Sequence, residues 1–83
     1  MDFTWDHNKS VSNRKKHGVS FELAERVFGD PYHLARPDPY PYQARWQVIG
    51  MPYADSPSVL FVVHTEEDEN GVSRIISARR ASA

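Results

Sequence analysis

Cysteine is absent from the 83 residues, which removes disulfides and thiolate metal sites together and fits a reducing compartment. No apolar run approaches the roughly 20 residues needed to cross a bilayer. The opening stretch, Met1-Asp2-Phe3-Thr4-Trp5-Asp6, has no basic segment leading into an apolar one, so it does not read as a signal peptide. A soluble, cytoplasmic protein without a membrane partner is expected. Charge of one sign is not in excess either. Ten Lys and Arg face eleven Asp and Glu, and a net charge of −1 does not announce a nucleic-acid binder. Repeats and linkers are lacking, and the length suits one domain over residues 1–83.

What is present is unevenly spread. Arg14, Lys15 and Lys16 form one basic cluster and Arg74, Arg79 and Arg80 another, with the acidic block Glu66, Glu67, Asp68 and Glu69 between them. A local basic site is therefore compatible with a near-neutral chain.

The pattern along the chain predicts β-α-α-β-β-β-β. Asp2 to Trp5 reads as a first strand with Phe3 and Trp5 on one face. Asp6 is placed to cap a polar helix from His7 to Lys16, with Lys15, Lys16 and His17 at its negative end and Gly18 as its left-handed terminus. Ser20 caps a second helix, Phe21 to Phe28, whose Phe21, Ala24, Val27 and Phe28 make an apolar stripe. Gly29 ends it and Asp30-Pro31 turns the chain. Period-two patterning then predicts strands at 32–36, 44–50, 58–65 and 72–79. The proline-rich segment 37–41 is expected outside the sheet. Val59-Leu60-Phe61-Val62-Val63 is apolar on both faces and should be central, and Asn70-Gly71 marks a hairpin. The fold class is α+β, with two N-terminal helices packed on a mostly antiparallel sheet of four to five strands.

The chemistry on offer is cationic. His7, His17, His33 and His64 lack the spacing of a metal site, and no nucleophile-elbow pattern exists, so no metal or cofactor is expected. Lys15, Lys16, His17, Arg45, Arg74, Arg79 and Arg80 are the groups able to meet a phosphodiester. Arginine and lysine stabilise developing phosphate charge, and histidine can move a proton near neutral pH. Each has a plainer alternative: His17 as a helix-terminal group bound to carbonyls, Arg45 as a cross-strand partner of a carboxylate. Tyr32, Tyr40, Tyr42, Trp46 and Tyr53 are able to stack on bases, fill the core or bind a protein. The last strand poses a sharper question. In a regular strand Arg74 and Arg79 leave opposite faces; they serve one site only if the strand twists, bulges, or ends at that site.

Several segments resemble the BrnT family. Phe3-x-Trp5-Asp6-x-Asn8-Lys9, Asn13-x-x-Lys16-His17-Gly18-Val19-x-Phe21-x-x-Ala24 and Val27-Phe28-x-Asp30-Pro31 are similar to its N-terminal signature. Arg45 with Ile49-Gly50, Val59 to Thr65, and Arg74-Ile75-Ile76-Ser77-Ala78-Arg79-Arg80-Ala81-Ser82 are similar to its middle and last strands. The resemblance implies a RelE-like fold and a ribonuclease toxin of a type II toxin–antitoxin module that arrests translation without a metal. It implies RNA as substrate and a BrnA-like ribbon-helix-helix antitoxin as partner, with operator DNA reached only through that antitoxin. Carried over residue by residue, it puts the site at Lys16, His17, Arg45, Arg74 and Arg79. The arginines and Lys16 would hold phosphate, and His17 would transfer protons. The resemblance also implies a short charged helix after the last strand, a feature without a counterpart before Ala83. A non-catalytic module of the same fold that binds an antitoxin or another protein is the alternative, followed by a plain RNA-binding module.

Overall fold

The computed structural model describes residues 2–81; Ser82, at the end of the last family-like segment, and Ala83 lie outside the described residues. Five strands form one sheet in the order β1-β5-β4-β3-β2, with β1 Asp2–Thr4, β2 Leu34–Pro37, β3 Arg45–Gly50, β4 Leu60–Thr65 and β5 Val72–Arg80. All neighbouring pairs are antiparallel except β1 with β5, which is parallel. β4 is central, as its two-faced apolar sequence implies.

The first helix, α1 (His7–His17), starts where Asp6 accepts from the Asn8 and Lys9 amides and stops at Gly18, whose φ of 73° is left-handed. It is polar, and only Ser10 on it is buried. Ser10 Oγ accepts from the Phe21 amide and donates to Glu22, which fastens α1 to the next helix. That helix, α2 (Phe21–Glu25), is capped by Ser20 and runs into a 3-10 turn over Arg26–Gly29. The expected single helix to Phe28 thus tightens in its last turn, a common way to finish a helix. The tighter winding sets Val27 against β3 so closely that a Cβ on Gly50 would lie 2.8 Å from Val27 Cγ1.

Val19, Phe21, Ala24 and Val27 from this layer bury against Val48, Leu60, Val62, Ile75 and Ala78 of β3, β4 and β5. Full burial of Phe21 alone is worth about 1.5–3 kcal/mol. Phe3 on β1 closes one end of this core by stacking on Phe28 at 4.2 Å. Pro37 corrects the expectation that the proline segment lies wholly outside the sheet. It pairs with Trp46 as the last residue of β2, an edge strand, where a missing N–H is tolerated.

Two features of β5 position the site. First, β1 pairs with Val72–Arg74, so among the described residues the far part of that β5 edge has no strand partner. The Asn13 side chain takes the place of one. Its Nδ2 donates to the Ala78 carbonyl (2.7 Å) and to the Val19 carbonyl (2.8 Å), and its Oδ1 accepts from the Ala78 amide (3.3 Å). A carboxamide thereby mimics a peptide group on the sheet edge. Second, Ser77 pairs with Val63 but Ile75 pairs with His64, so Ile76 stands unopposed as a bulge.

Candidate active site

The bulge resets the alternation of β5. On its C-terminal side Ala78 lies on the helix-covered face opposite Val62, and Arg79 lies on the other face opposite Phe61. On its N-terminal side Ile75 and Ser73 are buried, and Arg74 leaves by the same face as Arg79. An uninterrupted strand would have separated the two arginines. With Ile76 inserted, both project from the sheet face that carries no helix.

Arg45 joins them. It pairs with Thr65 on β4, and the Arg74 amide donates to Thr65 Oγ1 at 2.8 Å. Arg45, Thr65 and Arg74 form one row across three strands, so the two arginine Cα atoms are about 10 Å apart. Arg79 sits four ladder steps along, about 13 Å from Arg74. Among the described residues none of the three is paired with a carboxylate. The Arg45 guanidinium lies 3.9 Å from the Tyr40 ring centroid and its Nε donates to Gln43. The Arg79 guanidinium lies 4.6 Å from the Phe61 centroid and donates to the Arg80 carbonyl. Aromatic faces hold these cations in place without neutralising them. Arg36, on the same face, is more committed: it donates to Gln47, which donates to Asp38. That bond from Gln47, helped by the Tyr40 amide, lowers the Asp38 pKa.

Around Arg74 the surface is hollowed into a cleft of about 410 Å³, lined by Thr4, Gln43, Thr65, Glu66, Asp68 and Arg74 among others. Asp68 is occupied, since its Oδ1 accepts from the Asn70 and Val72 amides and shapes the hairpin turn. Glu66 is exposed, and its side chain has no hydrogen-bond partner among the described residues. The cleft therefore pairs a guanidinium with an uncommitted carboxylate, a combination able to hold a phosphate and take up a proton.

Lys16 and His17 occupy the last turn of α1, in the helix layer. Asn13 ties that helix to the β5 edge at Ala78, near the Arg79 end rather than the Arg74 cleft. The sequence-derived set thus divides into Arg45, Arg74 and Arg79 on the open face and Lys16 with His17 on the helix layer. Three residues escape sequence reasoning. Glu66 reads as part of a solvated acidic block. His64 reads only as a histidine without metal-site spacing, and Trp46 as one of several aromatics able to stack on bases, fill the core or bind a protein. Yet His64 and Trp46, with Phe28, His33, Glu66, Glu67 and Ser73, line a second cleft of about 370 Å³ on the helix-covered face. The signal that would have found it is the end of β4, where neighbouring residues His64 and Thr65 point to opposite faces.

His64 is buried between the edges of Phe3 and Phe28. Burial pushes its pKa below the ordinary value, opposed by the Thr65 carbonyl and by Glu67. Nδ1 is 2.7 Å from that carbonyl, which only accepts, so Nδ1 carries the proton and Nε2 is left as an acceptor.

Two comparisons bear on this geometry. A family model described as the ribonuclease toxin BrnT of type II toxin–antitoxin systems matches residues 5–83. The crystal structure of the Brucella abortus ribonuclease toxin BrnT superposes with a TM-score of 0.68 at 25% identity, covering 100% of this chain and 99% of that one. No curated protein matches the sequence.

Proposed function

The chain belongs to the BrnT family of ribonuclease toxins of type II toxin–antitoxin systems, and from that premise we propose that it cleaves RNA at the Arg74 cleft without a metal ion. The supporting observation is the Ile76 bulge, which aligns Arg74, Arg79 and Arg45 on one uncovered sheet face. In this reading Arg74 holds the scissile phosphate and stabilises the charge that builds on it. Glu66 accepts the proton of the 2′-hydroxyl as that oxygen attacks phosphorus. The bond to the 5′-oxygen breaks, water protonates the leaving group, and a 2′,3′-cyclic phosphate remains. Arg45 and Arg79 bind the flanking strand. Lys16 and His17 extend the cationic surface along the β5 edge, and proton transfer falls to Glu66 in preference to His17.

The residues described act as a single toxin domain in the cytoplasm, silenced by a BrnA-like ribbon-helix-helix antitoxin through which operator DNA is reached. The open face suits such a partner. Leu34, Ile49 and Phe61 form an apolar row beside the arginines, with Leu34 72% exposed, so an acidic, amphipathic segment would cover both. The test is cleavage of single-stranded RNA in EDTA. The chain should cut, and Arg74→Ala should slow cutting by about 10²–10³-fold with an unchanged circular dichroism spectrum. Intact RNA in the presence of folded protein at high excess would favour a non-catalytic module.

A further inference from the structure

The second cleft lies on the opposite face of the sheet from the arginines, yet Glu66 lines both hollows. The second cleft has two properties of a built site. Its walls are largely aromatic, with Phe28, Trp46 and His33 offering ring surface. Within it, the hydroxyl of Ser73, a residue 0% exposed, has no hydrogen-bond partner among the described residues. An orphaned buried hydroxyl is costly and calls for an explanation. The cleft also holds acceptors, Nε2 of His64, with Nδ1 already spent on Thr65, and the carboxylates of Glu66 and Glu67, beside one fixed donor, the Trp46 indole N–H.

We propose that this cleft is a nucleobase subsite for the RNA substrate, selecting a base whose edge is rich in donors, guanine above all, and rejecting uracil. Guanine presents its N1–H and exocyclic N2–H₂ side by side, which matches an acceptor-rich wall, while its ring fits between aromatic surfaces. Uracil has one N–H between two carbonyls and would set those carbonyls against Glu67 and His64. The Ser73 hydroxyl gains the partner it lacks. The proposal rests on the ribonuclease reading for its substrate, but its test does not need cleavage.

The test is a titration of the ¹⁵N-labelled chain with guanosine and with uridine, neither of which carries a phosphate, followed by amide chemical shifts. Guanosine should give saturable shifts centred on Phe28, Trp46, His64 and Ser73, and bind about 10-fold tighter than uridine. Ser73→Ala should keep the fold and weaken guanosine by roughly 2- to 10-fold, the value of one hydrogen bond. Glu67→Gln, an exposed change that does not threaten folding, should shrink the preference over uridine. Shifts elsewhere, equal binding of the two nucleosides, or no effect of either variant would overturn the subsite and leave water as the partner of Ser73. Guanosine binding by a chain that cuts no RNA would overturn the ribonuclease reading instead. Cutting without base preference and without nucleoside binding would do the reverse.

Discussion

Asn13 should be among the most sensitive polar positions in the fold, and the sensitivity should follow a particular order. Its side chain makes three hydrogen bonds: to the carbonyls of Val19 and Ala78, and from the amide of Ala78. Ala78 is 1% exposed, so water does not readily replace the lost partners. Asn13→Ala removes three bonds, each worth about 1 kcal/mol net, and strands buried backbone groups at a further penalty. A loss of about 2–4 kcal/mol follows, a large share of the total for so small a domain. Asn13→Asp is nearly the same shape but should be worse. A carboxylate still accepts from the Ala78 amide, yet it brings negative charge against two carbonyl oxygens that received protons at 2.7 and 2.8 Å. Urea unfolding at pH 7 should rank wild type above Asn13→Ala above Asn13→Asp by midpoint, with little change in slope. An Asp variant as stable as wild type, or more stable than the Ala variant, would refute the view that this side chain substitutes for a strand.

Other consequences follow from the packing and the titrating groups. Gly50→Ala should cost about 1–3 kcal/mol in thermal or urea unfolding, because the new Cβ would lie 2.8 Å from Val27 Cγ1 and 3.0 Å from His33 Cβ. Stability should fall as pH drops below about 6.5. The unfolded His64 binds a proton there while burial holds the folded one neutral, so the loss accrues from the unfolded pKa down to the lower folded one. Further acidification should continue the trend through Asp30, whose pKa is lowered chiefly by the Met51 amide and then by the Tyr32 amide, and through Asp38; both contribute above their unfolded pKa and lose it as pH falls through the folded one. His64→Phe should flatten the first part of that curve in urea titrations between pH 7 and 5. Deleting Ile76 should leave cleavage in place, since the strand would then pair regularly with β4 and Arg74 and Arg79, four residues apart, would still share the open face; a folded variant that no longer cuts would refute this.

Much of this architecture was legible because local chemistry and tertiary packing agree. Asp6, Ser20 and Gly18 perform the capping roles their residue types suggest. The apolar stripe Phe21, Ala24, Val27 is core, and the run from Leu60 to Thr65 is the central strand. What was not legible depends on distant partners. The parallel pairing of β1 with β5 joins residues 2–4 to 72–74, and no local pattern specifies it. The tightening of α2 into a 3-10 turn accompanies the close packing of Val27 on Gly50 of β3, a residue far along the chain. The bulge is the instructive case. The sequence around Arg74 and Arg79 poses the conflict of faces, but only the pairing with β4 shows where the extra residue goes. The second cleft was hidden for a related reason. His64 and Ser73 alternate as core residues do, and their polar atoms become informative only once one is found occupied and the other unpartnered.

The central claim is that the bulge assembles one cationic site on the open face from Arg45, Arg74 and Arg79. Single-turnover cleavage of a short single-stranded RNA in EDTA, compared for wild type, Arg45→Ala, Arg74→Ala, Arg79→Ala and Glu66→Gln at matched circular dichroism, tests it most directly. The account predicts cleavage by wild type, the deepest losses for Arg74→Ala and Glu66→Gln, and weaker binding with smaller rate losses for Arg45→Ala and Arg79→Ala. Full activity in Arg74→Ala, or activity lost only when Lys16 or His17 is replaced, would contradict it.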